Sequence, residues 1–130
     1  MRTYLYTGAK KRKAVCRLAM SVAGLQLPTY VASFGPPGES HPLAPYAGIL
    51  PIDLVRVRLP GQGLPRCHTP ADQVAIKAVL AVFRQVIHSG NYHLVILDGV
   101  REAMEEGLLD VADLQHLIAH APDSAEIAMT

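Results

Sequence analysis

Two groups of residues in this sequence have the types and spacing that chemistry needs. The first is the basic run Lys10-Lys11-Arg12-Lys13, which follows Thr7 and Gly8. Cationic side chains and inward-turned backbone N–H groups in a glycine-containing loop are typical of a phosphate-binding site. The second is Asp98, which follows the apolar segment 92–97 and offers a carboxylate to a metal ion.

The elements that position these groups follow from the hydrophobic pattern. Segments rich in Val, Ile, Leu and Tyr alternate with amphipathic segments bounded by Gly, Pro or Asp. This alternation predicts a doubly wound, three-layer α/β fold, with a parallel sheet of about five strands and helices on both faces. Gly24 is expected to end the first helix, and Asp110 to cap the last. We expect strands at 3–6, 29–34, 52–59, 92–97 and 125–129, and helices at 13–23, 70–89 and 110–121.

Composition limits the class of protein. A chain of 130 residues fits one domain, 1–130, and its 50% hydrophobic and 18% charged content excludes disorder. No apolar run is long enough for a signal peptide or a membrane span, so we expect a cytoplasmic location and no membrane partner. The basic run has little aromatic support, which argues against nucleic acid as a partner.

Charge is distributed unevenly along the chain. Residues 1–38 carry six basic side chains and no acidic one, whereas residues 98–130 carry eight acidic side chains and one basic one. This asymmetry predicts either an anion-binding site near the N-terminus or two faces of opposite sign.

The basic loop and Asp98 fall where an open α/β sheet binds ligands, beyond the carboxyl ends of its strands. These places correspond to the Walker A and Walker B motifs of a P-loop protein. Arg12 stands where the glycine before the lysine is expected, and Ala14 stands where a hydroxyl would bind Mg²⁺. We expect Arg12 to crowd the loop, with strain on the order of 1 kcal/mol if its backbone is forced to a positive φ.

Several stretches of the chain match one known family in order. The first, Tyr6-Thr7-Gly8 with Lys11 and Lys13, matches a Tyr-Thr-Gly-x-Gly-Lys-Gly-Lys-Thr-Thr opening. The others are Gly61-Gln62-Gly63, the segment 90–98, the segment 103–109 and the segment 126–130. On these motifs the chain resembles the bacterial P-loop corrinoid (cob(I)alamin) adenosyltransferase family, as a divergent member that stops before the family's last elements.

The resemblance implies an activity and a set of site residues. Members of the family adenosylate reduced corrinoids with ATP and Mg²⁺, usually as homodimers. ATP and cobalamin are therefore the implied ligands, Mg²⁺ the implied metal ion and Asp98 its implied ligand. The implied nucleotide- or phosphate-binding residues are Thr7, Gly8, Lys10, Lys11, Arg12 and Lys13. The implied corrinoid-side loop contains Gly61, Gly63, Leu64 and Arg66.

The sequence departs from the family at functional positions. Lys10 and Arg12 replace glycines of the phosphate loop, and Ala14 and Val15 replace its two threonines. Gly99 replaces the glutamate after the Walker B aspartate, and Leu64-Pro65-Arg66 replace a Phe-Thr-Trp corrinoid motif. Three hypotheses follow. The chain is a catalytically impaired homologue that at most binds nucleotide, phosphate or corrinoid; it is a divergent active enzyme that uses extra cations in place of Mg²⁺; or it is a non-enzymatic module that dimerises through its oppositely charged regions.

Overall fold

The computed structural model describes residues 2–34, 40–57, 70–105, 107, 109–119, 121 and 126–130. Within these residues, five strands and four α-helices follow one another, with a short 3₁₀ turn at Ala44–Tyr46. Their bounds are β1 Arg2–Leu5, α1 Lys11–Gly24, β2 Thr29–Ser33, β3 Ile52–Arg56, α2 Pro70–His88, β4 Leu94–Asp98, α3 Val100–Glu105, α4 Val111–Ile118 and β5 Glu126–Met129.

The strands form one sheet in the order β1-β5-β4-β2-β3, and every neighbouring pair is parallel. This confirms the predicted fold class. All five residues of β2 and of β4 are buried, as the continuous apolar character of the β4 segment predicts for a central parallel strand.

Helices cover both faces of the sheet. Alternate residues of a strand point to opposite faces, so Tyr30 and Ala32 of β2 join one apolar cluster and Val31 joins the other. The first cluster includes buried residues of α2, α3 and α4, such as Phe83. The second includes the buried side of α1, such as Ala19. The structure therefore has three layers, with α1 alone among the described helices on its face.

Strand β1 covers residues 2–5 rather than 3–6, and helix α1 starts earlier than expected. Helix α1 begins at Lys11 rather than at residue 13, so half of the predicted phosphate loop is helical. Gly24 is the last residue of α1, which confirms that the helix ends there, one residue after the expected 23. The left-handed backbone falls instead on Gln26, whose φ is 63°, and whose N–H donates to the carbonyl of Ala23.

Strand β4 begins at Leu94, although Tyr92 was expected to be its first residue. The Tyr92 hydroxyl donates to Asp53 of β3 over 2.6 Å, and its ring packs edge-on against Tyr30. The hydrogen bond, with burial and the Asp53 charge adding to it, raises the pKa of Tyr92 to about 12. Tyr92 therefore contacts β3 through its side-chain hydrogen bond and lies two residues before the first residue of β4.

The later elements agree better with the pattern. Asp110 caps α4, because its side chain accepts from the N–H of Asp113 while the Asp113 side chain accepts from the N–H of Asp110. This confirms the predicted cap, although α4 ends at Ile118 rather than at residue 121. The predicted end of the β3 strand at residue 59 lies outside the described residues. Among the described helices, none is long and apolar enough to cross a membrane.

Candidate functional site

Strand register brings the candidate residues to one edge of the sheet. Asp98 is the last residue of β4 and pairs in register with Ser33, the last residue of β2. Thr130 follows directly after β5 and donates its N–H to the carbonyl of Leu97. Because the strands are parallel, their carboxyl ends meet at this edge, where ligands of open α/β sheets bind.

Asp98 lies at the centre of a cluster of hydrogen-bond donors. Its side chain is 6% exposed. The Thr130 hydroxyl donates to Oδ1 over 2.7 Å, and His41 Nε2 lies 2.9 Å from Oδ2. Arg12 Nε donates to the same Oδ2 over 3.1 Å. Both carboxylate oxygens are therefore engaged by side chains of the protein itself.

His41 is oriented by the backbone of its own loop. The ring is 1% exposed, and its Nδ1 accepts a hydrogen bond from the N–H of Leu43 over 3.1 Å. Since Nδ1 acts as the acceptor, the ring hydrogen is assigned to Nε2, which then donates to Asp98. His41 was not a candidate in the sequence, because it lies in a Gly/Pro-rich loop, 57 residues from Asp98.

The surroundings of Asp98 favour its charged form. Burial raises the pKa of Asp98, but the hydrogen bonds from His41 and Thr130 and the positive charge of Arg12 outweigh burial. The net result is a pKa of Asp98 below its ordinary value of 3.8. The carboxylate is thus ionised at neutral pH, and the Arg12 guanidinium and the hydrogen-bond donors of the same chain stabilise its negative charge.

Gly99 follows Asp98, and both its backbone conformation and its contact with Phe34 disfavour a side chain at this position. Its φ is +92°, a conformation that L side chains rarely adopt, and a Cβ at this position would lie 3.3 Å from Cβ of Phe34. Its N–H donates to the Thr130 hydroxyl over 2.8 Å, so the same hydroxyl links Gly99 to Asp98. A side chain at position 99 would therefore strain the backbone that holds the cluster together.

The four basic residues of the predicted phosphate site divide into two kinds. Arg12 contacts Asp98, and the Lys11 ammonium forms an ion pair with Glu102 of α3. Lys10 and Lys13 are exposed. The basic N-terminal region and the acidic C-terminal region, whose opposite charges were apparent in the sequence, thus pair within one chain at these two contacts.

The structure brings together some of the predicted site residues and not others. Thr7, Gly8 and Lys10 form the turn before α1, with Gly8 at φ +92° and its carbonyl accepting from the N–H of Lys11. Arg12 lies in the first turn of α1 with right-handed helical backbone, so the strain of a positive φ does not arise. The expectation that Arg12 would crowd a loop was therefore wrong. The corrinoid-side residues Gly61, Gly63, Leu64 and Arg66 lie outside the described residues.

Metal ligation has little support in the described part of the chain. Within it, no three His, Cys, Asp or Glu side chains lie close enough together to hold a metal ion. Ala14 of α1 and Gly99 carry no side-chain oxygen, so neither adds a ligand beside Asp98.

The parallel sheet, its two helical layers and the cluster at its carboxyl edge define an α/β protein of the P-loop NTPase-like class. Comparison with family models gives a match to the ATP:corrinoid adenosyltransferase family (BtuR/CobO/CobP) over residues 2–130. The chain belongs to this family, as the resemblance in the sequence indicates. A comparison with curated proteins found no match.

Proposed function

We propose that this chain is a corrinoid adenosyltransferase homologue that has lost efficient adenosyl transfer. In this proposal it keeps at most the ability to bind a nucleotide, a phosphate or a corrinoid. The single observation that carries the proposal is the state of Asp98, whose two carboxylate oxygens are engaged by Thr130, His41 and Arg12.

The donor set around Asp98 fits Mg²⁺ poorly. Magnesium requires oxygen ligands in near-octahedral geometry, which it takes from one or two carboxylates together with water and phosphate. A magnesium ion at Asp98 would have to displace hydrogen-bond donors and would lie close to the Arg12 guanidinium, which repels it. No step of the family's reaction that depends on Mg²⁺ is therefore assigned to this site.

The start of α1 supports retained binding of an anion. No acidic residue lies in its first turn, and the exposed cations Lys10 and Lys13 stand at this end. The N-terminus of a helix carries a partial positive charge and free N–H donors, which favour phosphate oxygens. In the proposal these groups contact phosphate directly, without a bridging metal ion.

The direct test is adenosylation of cob(I)alamin under anaerobic reducing conditions, with ATP and Mg²⁺ in excess. The expected result is no adenosylcobalamin above the rate without protein, measured beside an active member of the family as positive control. Product formation at a rate comparable with that control would overturn the proposal.

The second candidate is a divergent but active adenosyltransferase, and the exposed Lys10 and Lys13 favour it. Cations placed at the triphosphate can take over part of the charge neutralisation that Mg²⁺ normally provides. This candidate predicts product in the same assay with EDTA in place of Mg²⁺, at a rate that falls in a Lys10→Gln, Lys13→Gln double variant. Absence of product in both buffers rules it out.

A homodimer in the cytoplasm, as the sequence and the family resemblance imply, is part of the same proposal. The pairs Lys11–Glu102 and Arg12–Asp98 already neutralise opposite charges within one chain. We therefore expect apolar contacts, and not charge pairing, to hold the dimer, which then persists at high salt. Light scattering at low and high ionic strength tests this. A dimer that dissociates as salt increases would instead support a charge-paired interaction module.

A further inference from the structure

A cavity of about 520 Å³ lies between α2 and α4, on the face of the sheet opposite α1. None of the side chains that donate to Asp98 comes from either helix. The volume is within the range of about 300–1,000 Å³ that is typical of small-molecule pockets. The cavity is thus a separate candidate site, independent of the proposed function.

Small residues on both helices create this space. Lys77, Leu80, Ala81 and Arg84 follow the i, i+3, i+4, i+7 spacing that places side chains on one face of a helix. Ala81 on α2 and Ala112 on α4 line the cavity and leave room where larger side chains would fill it. Leu80 and the buried Leu117 supply apolar lining.

Two cations, Lys77 and Arg84, line the cavity, and neither forms an ion pair with another described residue. Arg84 Nη1 lies 2.9 Å from His116 Nε2. Because a guanidinium only donates, the His116 nitrogen accepts and the ring adds no negative charge. In the described ranges, no carboxylate lies within ion-pair distance of Lys77 or Arg84. Asp113 also lines the cavity, but its carboxylate accepts from the N–H of Asp110 in the cap of α4.

We propose that this cavity binds a small amphipathic carboxylate. The guanidinium of Arg84 matches the two oxygens of a carboxylate geometrically, and Lys77 adds a second positive charge. The hydrocarbon part of the ligand packs on Leu80 and Leu117. A purely apolar ligand would make no contact with the charge of Lys77 or Arg84, and a small inorganic anion would leave the apolar lining uncovered.

The test uses octanoate as probe, with octanol and acetate as matched compounds that each lack one half of its chemistry. Amide chemical shifts in an NMR titration report both affinity and location. The expected result is saturable binding of octanoate, with shifts concentrated in α2 and α4, and binding of octanol and acetate at least about tenfold weaker. Equal affinity for octanol, or shifts spread over the whole surface, would contradict the proposal.

Substitutions of residues that line the cavity test whether octanoate binds there. Arg84→Gln is expected to weaken octanoate about tenfold, which corresponds to about 1.4 kcal/mol. Ala81→Leu is expected to abolish binding by filling the cavity; Ala81 is exposed, so the variant should fold normally. Arg101→Gln, which removes an exposed cation on α3, is the control and should bind like the original chain. Unchanged affinity in both Arg84→Gln and Ala81→Leu would overturn the proposal.

Discussion

The Arg12 guanidinium lies against the Asp98 carboxylate, with Nε 3.1 Å from Oδ2, although the two residues are 86 positions apart in the sequence. The family resemblance places a glycine at position 12 and a metal-binding aspartate at position 98. Here an internal cation on the first turn of α1 contacts that aspartate. This pair connects the start of α1 to the end of β4.

Replacing Arg12 should weaken the fold moderately. Arg12→Gln keeps a polar side chain of similar length but removes the positive charge beside the buried carboxylate. The Arg12 side chain is 35% exposed, so water screens part of the interaction, and we expect a loss of about 1 kcal/mol in the free energy of unfolding. Urea denaturation at neutral pH measures it.

The matched control for Arg12→Gln is Arg101→Gln. Arg101 pairs with Glu105 one helical turn away, and both side chains are mostly exposed. Exposed pairs of this kind contribute about 0.3–0.5 kcal/mol. Equal effects of the two substitutions would show that Arg12 contributes no more than an ordinary surface pair.

Acid should weaken the Asp98 cluster. A carboxyl group whose pKa is lower in the folded chain contributes stability above its unfolded pKa, and this contribution is lost as pH falls through the folded pKa. The pKa of Asp98 lies below 3.8 in the folded chain, so the loss is expected below about pH 4. We expect Asp98→Asn to lower stability by about 2–3 kcal/mol at pH 7.

The informative quantity is the difference in unfolding free energy between the original chain and Asp98→Asn at each pH. Burial raises the pKa of Glu102, but the hydrogen bond from Lys11, a backbone hydrogen bond and the Lys11 charge together lower it below its ordinary value, and Glu102 titrates in both proteins. Because the Asp98 charge itself raises the pKa of Glu102, the contribution of Glu102 cancels only in part in the comparison. The difference should be largest near neutral pH and shrink below about pH 4. A difference that stays constant down to pH 2 would mean that the Asp98 charge does not stabilise the folded chain.

Replacing Gly99 by alanine should lower the stability of the fold, whereas replacing Gly24 by alanine should raise it. Gly99→Ala places a Cβ in a left-handed backbone and 3.3 Å from Phe34, which should cost about 1–2 kcal/mol. Gly24→Ala lies at the end of α1 with open space around the new Cβ and should stabilise by up to about 1 kcal/mol. Thermal unfolding of both variants measures the contrast. A neutral Gly99→Ala would show that this position readily accepts a side chain.

The sheet was predictable because its central strands carry continuous apolar segments. Val95 and Ile96 of β4 point to opposite faces of the sheet, and both are buried. A strand that is buried on both faces is apparent in the sequence as an unbroken apolar segment. The Asp110 cap was predictable because capping depends on a few local residues. The position of Asp98 at the carboxyl edge followed from the apolar segment that directly precedes it.

The cluster around Asp98 was less predictable because its members are distant in sequence. Nothing local to His41 indicates that its ring meets Asp98; the only signal was that its loop is too long for a plain connector. Arg12 was expected to crowd a loop, because the glycine pattern of a Walker A motif requires a loop there. Helix α1 instead begins at Lys11, which turns a residue expected to be strained into a helical one that pairs with Asp98.

The most direct test of the central claim, that Asp98 is compensated internally and does not hold Mg²⁺, is calorimetric titration of the chain with ATP. It is done once with Mg²⁺ and once with EDTA, and repeated with Asp98→Asn. We predict the same affinity in both buffers, or no binding in either, and no magnesium dependence that Asp98→Asn removes. Micromolar binding that requires Mg²⁺ and is lost in Asp98→Asn would contradict the claim and identify Asp98 as a working metal ligand.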